Sequence, residues 1–301
     1  MEIVLVGLGR MGLAYVERLT GQGHRIHGYD VSPDAMQDLL SMGGHPLPSL
    51  RNIGDHHAPV LLSLPDASTV ERVVADILTH VDAASVTGLI DLSTTGPLGA
   101  HRVAATVTDS GLRYAEAPVT GGVAGARNGK LTLMASGDPS LLDAVEPILQ
   151  CLGSVVRLGD RPGLGQTMKV LNNLLSATNL AITSEALAAG AASGLNPAQM
   201  LSVFNAGSGK NAATLDKFPQ YVLSGTFDQG FAASLMTKDV RLAQELLHAV
   251  ALPAWVSAAV VETWLAACRH LPEDADFTEI ARLHASYVFS SAWTSRSIYE
   301  E

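Results

Sequence analysis

Val4-Leu5-Val6-Gly7-Leu8-Gly9-Arg10-Met11-Gly12 is the stretch from which the fold of this 301-residue chain is read. Ile3 to Val6 form a short apolar run of strand character, and Leu13 to Leu19 continue with helical character. Between them Gly7, Gly9 and Gly12 keep the spacing G-x-G-x-x-G. In that spacing the first glycine permits a tight turn, the second lets backbone approach a pyrophosphate, and the third lets helix pack on strand. The helix start adds N–H groups without intrahelical partners and a partial positive charge, both suited to an anion.

A second strand pattern, Arg25–Tyr29, ends in Asp30, eighteen positions beyond Gly12. Without it the glycines would read as a strand-to-helix turn that binds nothing. An acidic residue at this place takes the adenosine ribose hydroxyls in NAD sites. Gly7, Leu8, Gly9, Arg10, Met11, Gly12 and Asp30 are therefore the expected NAD-binding segment. A carboxylate there repels a 2′-phosphate, which favours NAD over NADP. Arg25 stands too early in the strand to reverse this, while Ser32 remains able to accept a phosphate.

Strand patterns recur at Val60–Leu64, Leu89–Leu92 and near Arg113–Glu116, and helix patterns at Met11–Gly21, Pro33–Met42, Ala67–His80 and Pro97–Ser110. Short apolar strands alternating with amphipathic helices imply an α/β domain with a doubly wound, Rossmann-like parallel sheet. Ligands of such sheets bind outside the carboxyl ends of the strands. Asp30, Ser63-Leu64-Pro65 and Asp91-Leu92-Ser93-Thr94 fall at that edge, so Leu64, Pro65 and Thr94 join the cofactor-binding candidates. Ser93 and Thr94 read equally as partners of the nicotinamide ribose and as caps of the next helix. Ala117 to Gly129 holds four glycines and one proline in thirteen positions and reads as a loop of exposed backbone amides. Within it Thr120-Gly121-Gly122 can form an anion nest for a carboxylate.

Strands are expected again at Lys130–Ala135 and Ser154–Leu158, flanking a helix at Pro139–Leu149. Gly159 to Gly165 carries three glycines and a proline, and there the domain boundary is expected, with residues 1–162 before it and 163–301 after it. From Gln166 the strand patterns stop. Gln166–Gly194 is one long, nearly all-apolar helix pattern, followed by further helices at Pro197–Asn205, Leu235–Ala249, Pro253–His270 and Phe277–Val288. The second domain is expected to be all α.

Composition narrows the partners. A formal net charge of −10 with no Lys/Arg cluster argues against nucleic acid and anionic membranes. The most apolar long stretch, Leu246–Cys268, carries His248, Pro253 and Glu262 and reads as buried helix rather than membrane span. Two cysteines far apart, Cys151 and Cys268, and a strand that begins at once with no room for a signal peptide fit a reduced cytoplasmic protein. His56-His57 show no further ligand at metal spacing, and no metal is expected.

Lys169 is the only lysine between residues 131 and 209 and stands on the long apolar helix pattern, with Asn172 and Asn173 three and four positions on. Such a lysine either snorkels to the surface or works in a cleft, where desolvation suits it to proton transfer. Here the chain resembles a known family, the 3-hydroxyisobutyrate dehydrogenase-like β-hydroxyacid dehydrogenases. That family includes tartronate semialdehyde reductases and is related to 6-phosphogluconate dehydrogenases. Four ordered motifs carry the resemblance over almost the whole chain: Gly7–Gly12, Glu116-Ala-Pro-Val-Thr-Gly-Gly122, Gly165-Gln-Thr-Met-Lys-Val-Leu-Asn-Asn173 and Lys238-Asp239.

The resemblance implies a role for each matching position. Lys169 is the implied catalytic lysine, taking the hydroxyl proton while hydride passes to the nicotinamide. Thr120, Gly121 and Gly122 are the implied carboxylate loop and Asn173 a substrate-orienting amide, with Thr94 and Lys238 as further cofactor contacts. The family usually has Asp-Ala-Pro-Val-Ser-Gly-Gly, so Glu116 and Thr120 depart from it, and Val123 argues weakly against a strongly acidic substrate group.

The expected activity is hydride transfer between NAD and a small 3-hydroxy acid or its semialdehyde, with a small carboxylate as substrate. An imine reductase shares this layout but generally lacks the lysine and favours NADP; a non-catalytic NAD sensor would need neither Lys169 nor the Thr120 loop. The small apolar faces of the helical half, its long helix above all, point to a homodimer or homotetramer.

Overall fold

The apolar strand runs do become one sheet. The structure is a computed structural model and describes residues 1–288. The strands are β1 (Glu2–Val6), β2 (Arg25–Tyr29), β3 (His45–Pro46), β4 (Pro59–Leu62), β5 (Gly88–Asp91), β6 (Tyr114–Glu116), β7 (Val119–Thr120), β8 (Leu131–Gly137) and β9 (Gly153–Gly159). Their order is β3-β2-β1-β4-β5-β6-β8-β7, with β9 beside β8. The six strands from β3 to β6 are all parallel, which is the doubly wound order of a dinucleotide-binding sheet. β8 runs antiparallel to β6 and β7 and parallel to β9.

Alternation along β1 shows why the sheet is buried on both faces. Ile3 and Leu5 join one core, with Tyr15 and Leu19 of helix α1 (Arg10–Gly21) and Leu141, Val145 and Ile148 of α6 (Pro139–Leu152). Val4 and Val6 join the other, with Val70, Val74 and Ile77 of α3 (Ala67–His80) and Val103 and Val107 of α4 (Gly96–Asp109). Ser32 starts α2 (Pro33–Ser41) by accepting the Ala35 N–H, and Asp66 and Asp138 do the same for α3 and α6.

Three elements differ from the sequence expectation. β3 has only two residues and too little pattern to show. Ala117–Gly129 is not all loop: Val119–Thr120 pairs with β8, and Gly122–Asn128 forms helix α5, which burial of Ala126 against the first core holds in place. Ala213–Val222 is a π-helix containing Pro219, whose missing N–H masks the segment as a helix in sequence.

The contacts divide the chain into two units, residues 1–170 and the chain from Leu171 onward. The division falls inside α7 (Leu164–Ala192). The second unit is built from the rest of α7, α8 (Pro197–Ala206), the π-helix, α9 (Ala233–Ala249), α10 (Trp255–His270) and α11 (Ile280–Val288). Trp264 is its fully buried centre, its indole N–H donating to the Ala177 carbonyl. Residues 289–301 of the expected second domain lie outside the described residues. Among the described residues no helix is long and apolar enough to cross a membrane.

Candidate active site

In the first unit the glycine turn is set by backbone crowding. Gly7 has φ +94°, and a Cβ on it would strike the Ser63 carbonyl. A Cβ on Gly12 would strike the Gly7 carbonyl, so nothing larger than glycine fits where α1 meets the turn. Gly9 is the exception: a Cβ there would meet no protein atom within 4 Å. It is also the N-cap of α1, with no side chain capping the helix. Of the three, only Gly9 is free of neighbours, which leaves room there for a phosphate to approach.

Asp30 lies at the end of β2, and both its carboxylate oxygens are in use. Oδ2 accepts the Leu8 N–H at 2.7 Å and Oδ1 the Ser32 N–H at 2.8 Å. The carboxylate thus ties the glycine turn to the start of α2. Beside it opens a cleft of about 690 Å³ lined by Tyr29, Asp30, Val31, Pro33, Met36 and the 46–48 segment Pro-Leu-Pro. No lysine or arginine lines it. The 46–48 wall went unseen in sequence because it follows the two-residue β3.

The carboxyl ends of β4, β5 and β6 carry a buried polar network. Ser93 Oγ accepts the Leu64 N–H at 2.9 Å, and the Ser93 N–H donates to Asp91 Oδ1. Ser93 therefore ties two loops together and is not the N-cap of α4, which is Thr95. The amides at the start of α4 are satisfied by Gln166, whose Oε1 accepts from Thr95 N and Gly96 N while its Nε2 donates to the Ser93 carbonyl. Thr94 stands next in this loop, half-buried. Leu64 and Pro65 close the neighbouring loop.

Glu116 is fully buried beside Asp91, its partner across β5 and β6. Burial pushes its carboxyl up to about 7; N–H bonds from Gln166 and Gly163 and the Ser136 hydroxyl oppose this, and Asp91 adds to it. Between the ordinary carboxylate value and about 7 the folded chain keeps a proton that the unfolded chain has lost. The contribution of this group to stability therefore falls as pH rises through that window.

Lys169 follows Gln166 by one turn of α7, and only 7% of its surface is exposed. Of the two openings left for it, the surface snorkel is thereby disfavoured. It belongs to the sheet-bearing unit, not to the helical one where the sequence placed it, because the first turns of α7 are fastened to β5, β6 and β8. Thr120 and Gly122 are half-buried and Gly121 exposed, with Gly121 at φ +126° and Gly122 at φ +66°. Val123, half-buried, packs on the first core.

In the second unit Asn173 is buried, its Nδ2 donating to Asp239 Oδ2 at 2.5 Å. Asp239 is itself 1% exposed, and Lys238 Nζ lies 3.2 Å from its Oδ1. Asp239, read in sequence only as the second half of a motif, is thus what fixes the Asn173 amide. His56 meets His27 and Glu2, offering ligand atoms within 4.8 Å of one another. The His27 and His56 rings are stacked 21° from parallel, so their in-plane lone pairs run side by side, and Glu2 occupies His27 Nε2. Stacking and a hydrogen bond account for the trio.

Comparison with known proteins gives the class. The family model described as the NAD binding domain of 6-phosphogluconate dehydrogenase matches residues 2–159, and the NAD-binding model of NADP-dependent 3-hydroxyisobutyrate dehydrogenase matches residues 163–284. The chain is 34% identical to 3-hydroxyisobutyrate dehydrogenase of Pseudomonas aeruginosa over 258 residues, 83% of this chain and 86% of that protein. It is 32% identical to 2-hydroxy-3-oxopropionate reductase of Escherichia coli over 84% of this chain and 86% of that one. The solved structure of Mycobacterium tuberculosis 3-hydroxyisobutyrate dehydrogenase with L-serine matches with a TM-score of 0.85 at 27% identity, covering 94% of this chain and 98% of that one. The chain belongs to the 3-hydroxyisobutyrate dehydrogenase family of β-hydroxyacid dehydrogenases and is a nicotinamide-dependent hydroxyacid oxidoreductase.

The glycines separate folding from binding. Gly12→Ala is expected to lower stability by about 1–3 kcal/mol through the forced clash with Gly7. Gly9→Ala is expected to leave stability within about 0.5 kcal/mol and to weaken dinucleotide binding about tenfold or more. Denaturant unfolding and NADH fluorescence titration of both variants check this; equal effects on both readouts would contradict it.

Proposed function

We propose that this enzyme transfers hydride between NAD and a small 3-hydroxy acid, 3-hydroxyisobutyrate-like, or its semialdehyde, with Lys169 as general acid and base. The observation that carries the reading is the near-complete burial of Lys169 one turn beyond Gln166, the residue that ties α7 to the loops after β4 and β5. When bound, the nicotinamide would accept a hydride from the carbinol carbon or return one to the carbonyl carbon. Lys169 accepts the hydroxyl proton in the oxidative direction and returns it to the carbonyl oxygen in the reductive one. Thr120, Gly121 and Gly122 hold the carboxylate with the Thr120 hydroxyl and backbone amides, the positive φ of both glycines turning the chain back on itself there. Asn173, fixed by Asp239, orients the substrate.

Gly7, Leu8, Gly9, Arg10, Met11 and Gly12 hold the pyrophosphate, and Asp30 takes the adenosine ribose. Leu64, Pro65 and Thr94 follow along the sheet edge, and Lys238 is a further cofactor contact. NAD is preferred over NADP because the cleft at Asp30 has a carboxylate and no cationic side chain to meet a 2′-phosphate. Ser32 is engaged as the α2 cap. The 3-hydroxyisobutyrate and 2-hydroxy-3-oxopropionate named for two relatives are small and carry one carboxylate, in keeping with a single carboxylate loop, while the 2-(hydroxymethyl)glutarate named for a third carries two.

The enzyme assembles as a homodimer or homotetramer through the helical unit. Leu175 and Ile182 of α7 and Trp255 and Val256 of α10 are more than half exposed in the single chain, an apolar area that association would cover.

Lys169→Ala is expected to lower kcat by roughly 10²–10⁴-fold while the NADH dissociation constant stays within about threefold. Near-full turnover in that variant would reject the lysine's role. A panel of 3-hydroxy acids assayed with NAD and NADP side by side is expected to show kcat/KM at least about tenfold higher with NAD; parity would remove the argument from Asp30. Light scattering at micromolar concentration is expected to give at least twice the mass of one chain, and a monomer mass would exclude the assembly.

A further inference from the structure

The two oxygens of the Glu116 carboxylate have opposite surroundings. Oε1 collects three donors: the Gly163 N–H at 2.9 Å, the Gln166 N–H at 3.0 Å and the Ser136 hydroxyl at 2.9 Å. Oε2 has no hydrogen-bond partner among the described residues. Two of the three donors are backbone amides at the start of α7, a helix of 29 residues. A carboxylate placed there meets amides that have no intrahelical partner and the positive end of the helix dipole. Ser136 donates to Glu116 and also accepts the Gly165 N–H, so a third amide of the same turn is held through it. The side chain of Gln166 then carries the fixation on to Ser93, Thr95 and Gly96.

We propose that Glu116 is a positioning residue for the hydride-transfer reaction: by fastening the Gly163 and Gln166 amides it fixes the first turns of α7, and with them Lys169, against the nucleotide-binding edge of the sheet. The role rests on the reading of Lys169 as the proton-transfer group. Ser136 on β8 and the Gln166 side chain hold the same turn, and Glu116 is the one charged group among these anchors. Gly163 and Gly165 bring no side chain, and a Cβ on Gly165 would strike the Met134 carbonyl, so the turn lies directly on β8. Glutamate supplies length, reaching from the end of β6 to α7, and charge, which makes the N–H bonds stronger than those to a neutral acceptor.

The fixation depends on protonation. The groups around Glu116 are Asp91 on β5, Tyr114 on its own strand and Ser136 on β8; His101 on α4 meets the carbonyl of Pro162, the residue before Gly163, at 3.0 Å, and Lys169 stands on α7 three residues after Gln166. With the carboxyl raised to about 7, the proton taken up on acidification goes to Oε2, the oxygen without a partner. Below that pH the donors face a neutral carbonyl and hold α7 less firmly. Above it the charged form holds the turn, so the enzyme should gain turnover as pH rises through this window.

Glu116→Gln, an acceptor without charge, tests this. It is expected to lower kcat about tenfold with KM for NAD within about threefold, and to abolish the inflection near pH 7 in kcat. Hydrogen exchange at the Gly163 and Gln166 amides should speed up about tenfold or more. Glu116→Asp, which keeps the charge, should recover the pH inflection and part of kcat. Wild-type kcat, pH profile and amide protection in Glu116→Gln would overturn the proposal. Lys169→Ala separates the two readings: it should lose turnover and keep the amide protection, and if it stays active the lysine's role fails while exchange in Glu116→Gln still reports on the anchor. Should Glu116→Gln not fold, the unaltered enzyme decides. Its Gly163 and Gln166 amide resonances should titrate together with a midpoint near 7, and their invariance between about pH 5.5 and 8.5 would overturn the proposal.

Discussion

Two backbone segments touch where no side chain fits, and the nucleotide-binding half is built around that approach. Gly12 lies against the carbonyl of Gly7, and Gly7 against the carbonyl of Ser63. The first brings α1 down onto the end of β1; the second brings the β4 loop up to the same place. Asp30 then draws in the turn through Leu8. These three constraints come from β1, β2 and β4, which are adjacent and parallel, so the sheet order itself delivers them to one edge. The result is a turn whose amides are fixed before any ligand arrives, so that less ordering is left to binding.

A second constraint follows from composition. Only 16% of the residues are charged, yet Asp91, Glu116, Lys169 and Asp239 are among the most deeply buried side chains. A chain that spends few charges and then buries several at strand ends and on one helix has placed them for a purpose other than solubility. Buried charge is costly unless paired or hydrogen-bonded. Asp91 and Glu116 meet this with backbone amides and hydroxyls, Asp239 with the Asn173 amide and Lys238. The polar network is thus concentrated where the family motifs lie, while the two sheet cores stay apolar.

What could be read in advance followed from residues whose role is local. Gly7, Gly9, Gly12 and Asp30 act within one strand–helix–strand unit, and alternating apolar runs announced β1, β2, β4, β5 and β6 to within two residues at either end. The long pattern from Gln166 became α7. What could not be read depended on distant partners. β3 exists because two residues find β2, and α5 because Ala126 finds the core. Gln166 looked like one polar residue in a motif; its function appears only beside Ser93, more than seventy positions earlier. Glu116 was visible as a departure from the family's usual aspartate, but nothing local shows that its acceptors' partners are the amides of Gly163 and Gln166. That Val123 packs on core residues likewise shows only in three dimensions.

α7 brings these features together in one element. It is one unbroken helix that carries Lys169 and Asn173 four residues apart; buried Glu116 accepts the Gly163 and Gln166 amides ahead of Lys169, and buried Asp239 accepts from Asn173 itself. A lysine side chain is long and flexible, and in the proton-transfer role proposed for Lys169 it must stand within hydrogen-bond reach of one oxygen. Placing it on a rigid helix whose start is tied by Gly163, Gly165 and Gln166 removes backbone freedom that the side chain alone could not give up. That is why the residues around the lysine motif are glycine and glutamine: glycines let the turn lie on β8, and glutamine, donor and acceptor at once, satisfies the uncapped start of α4 while binding α7 to it.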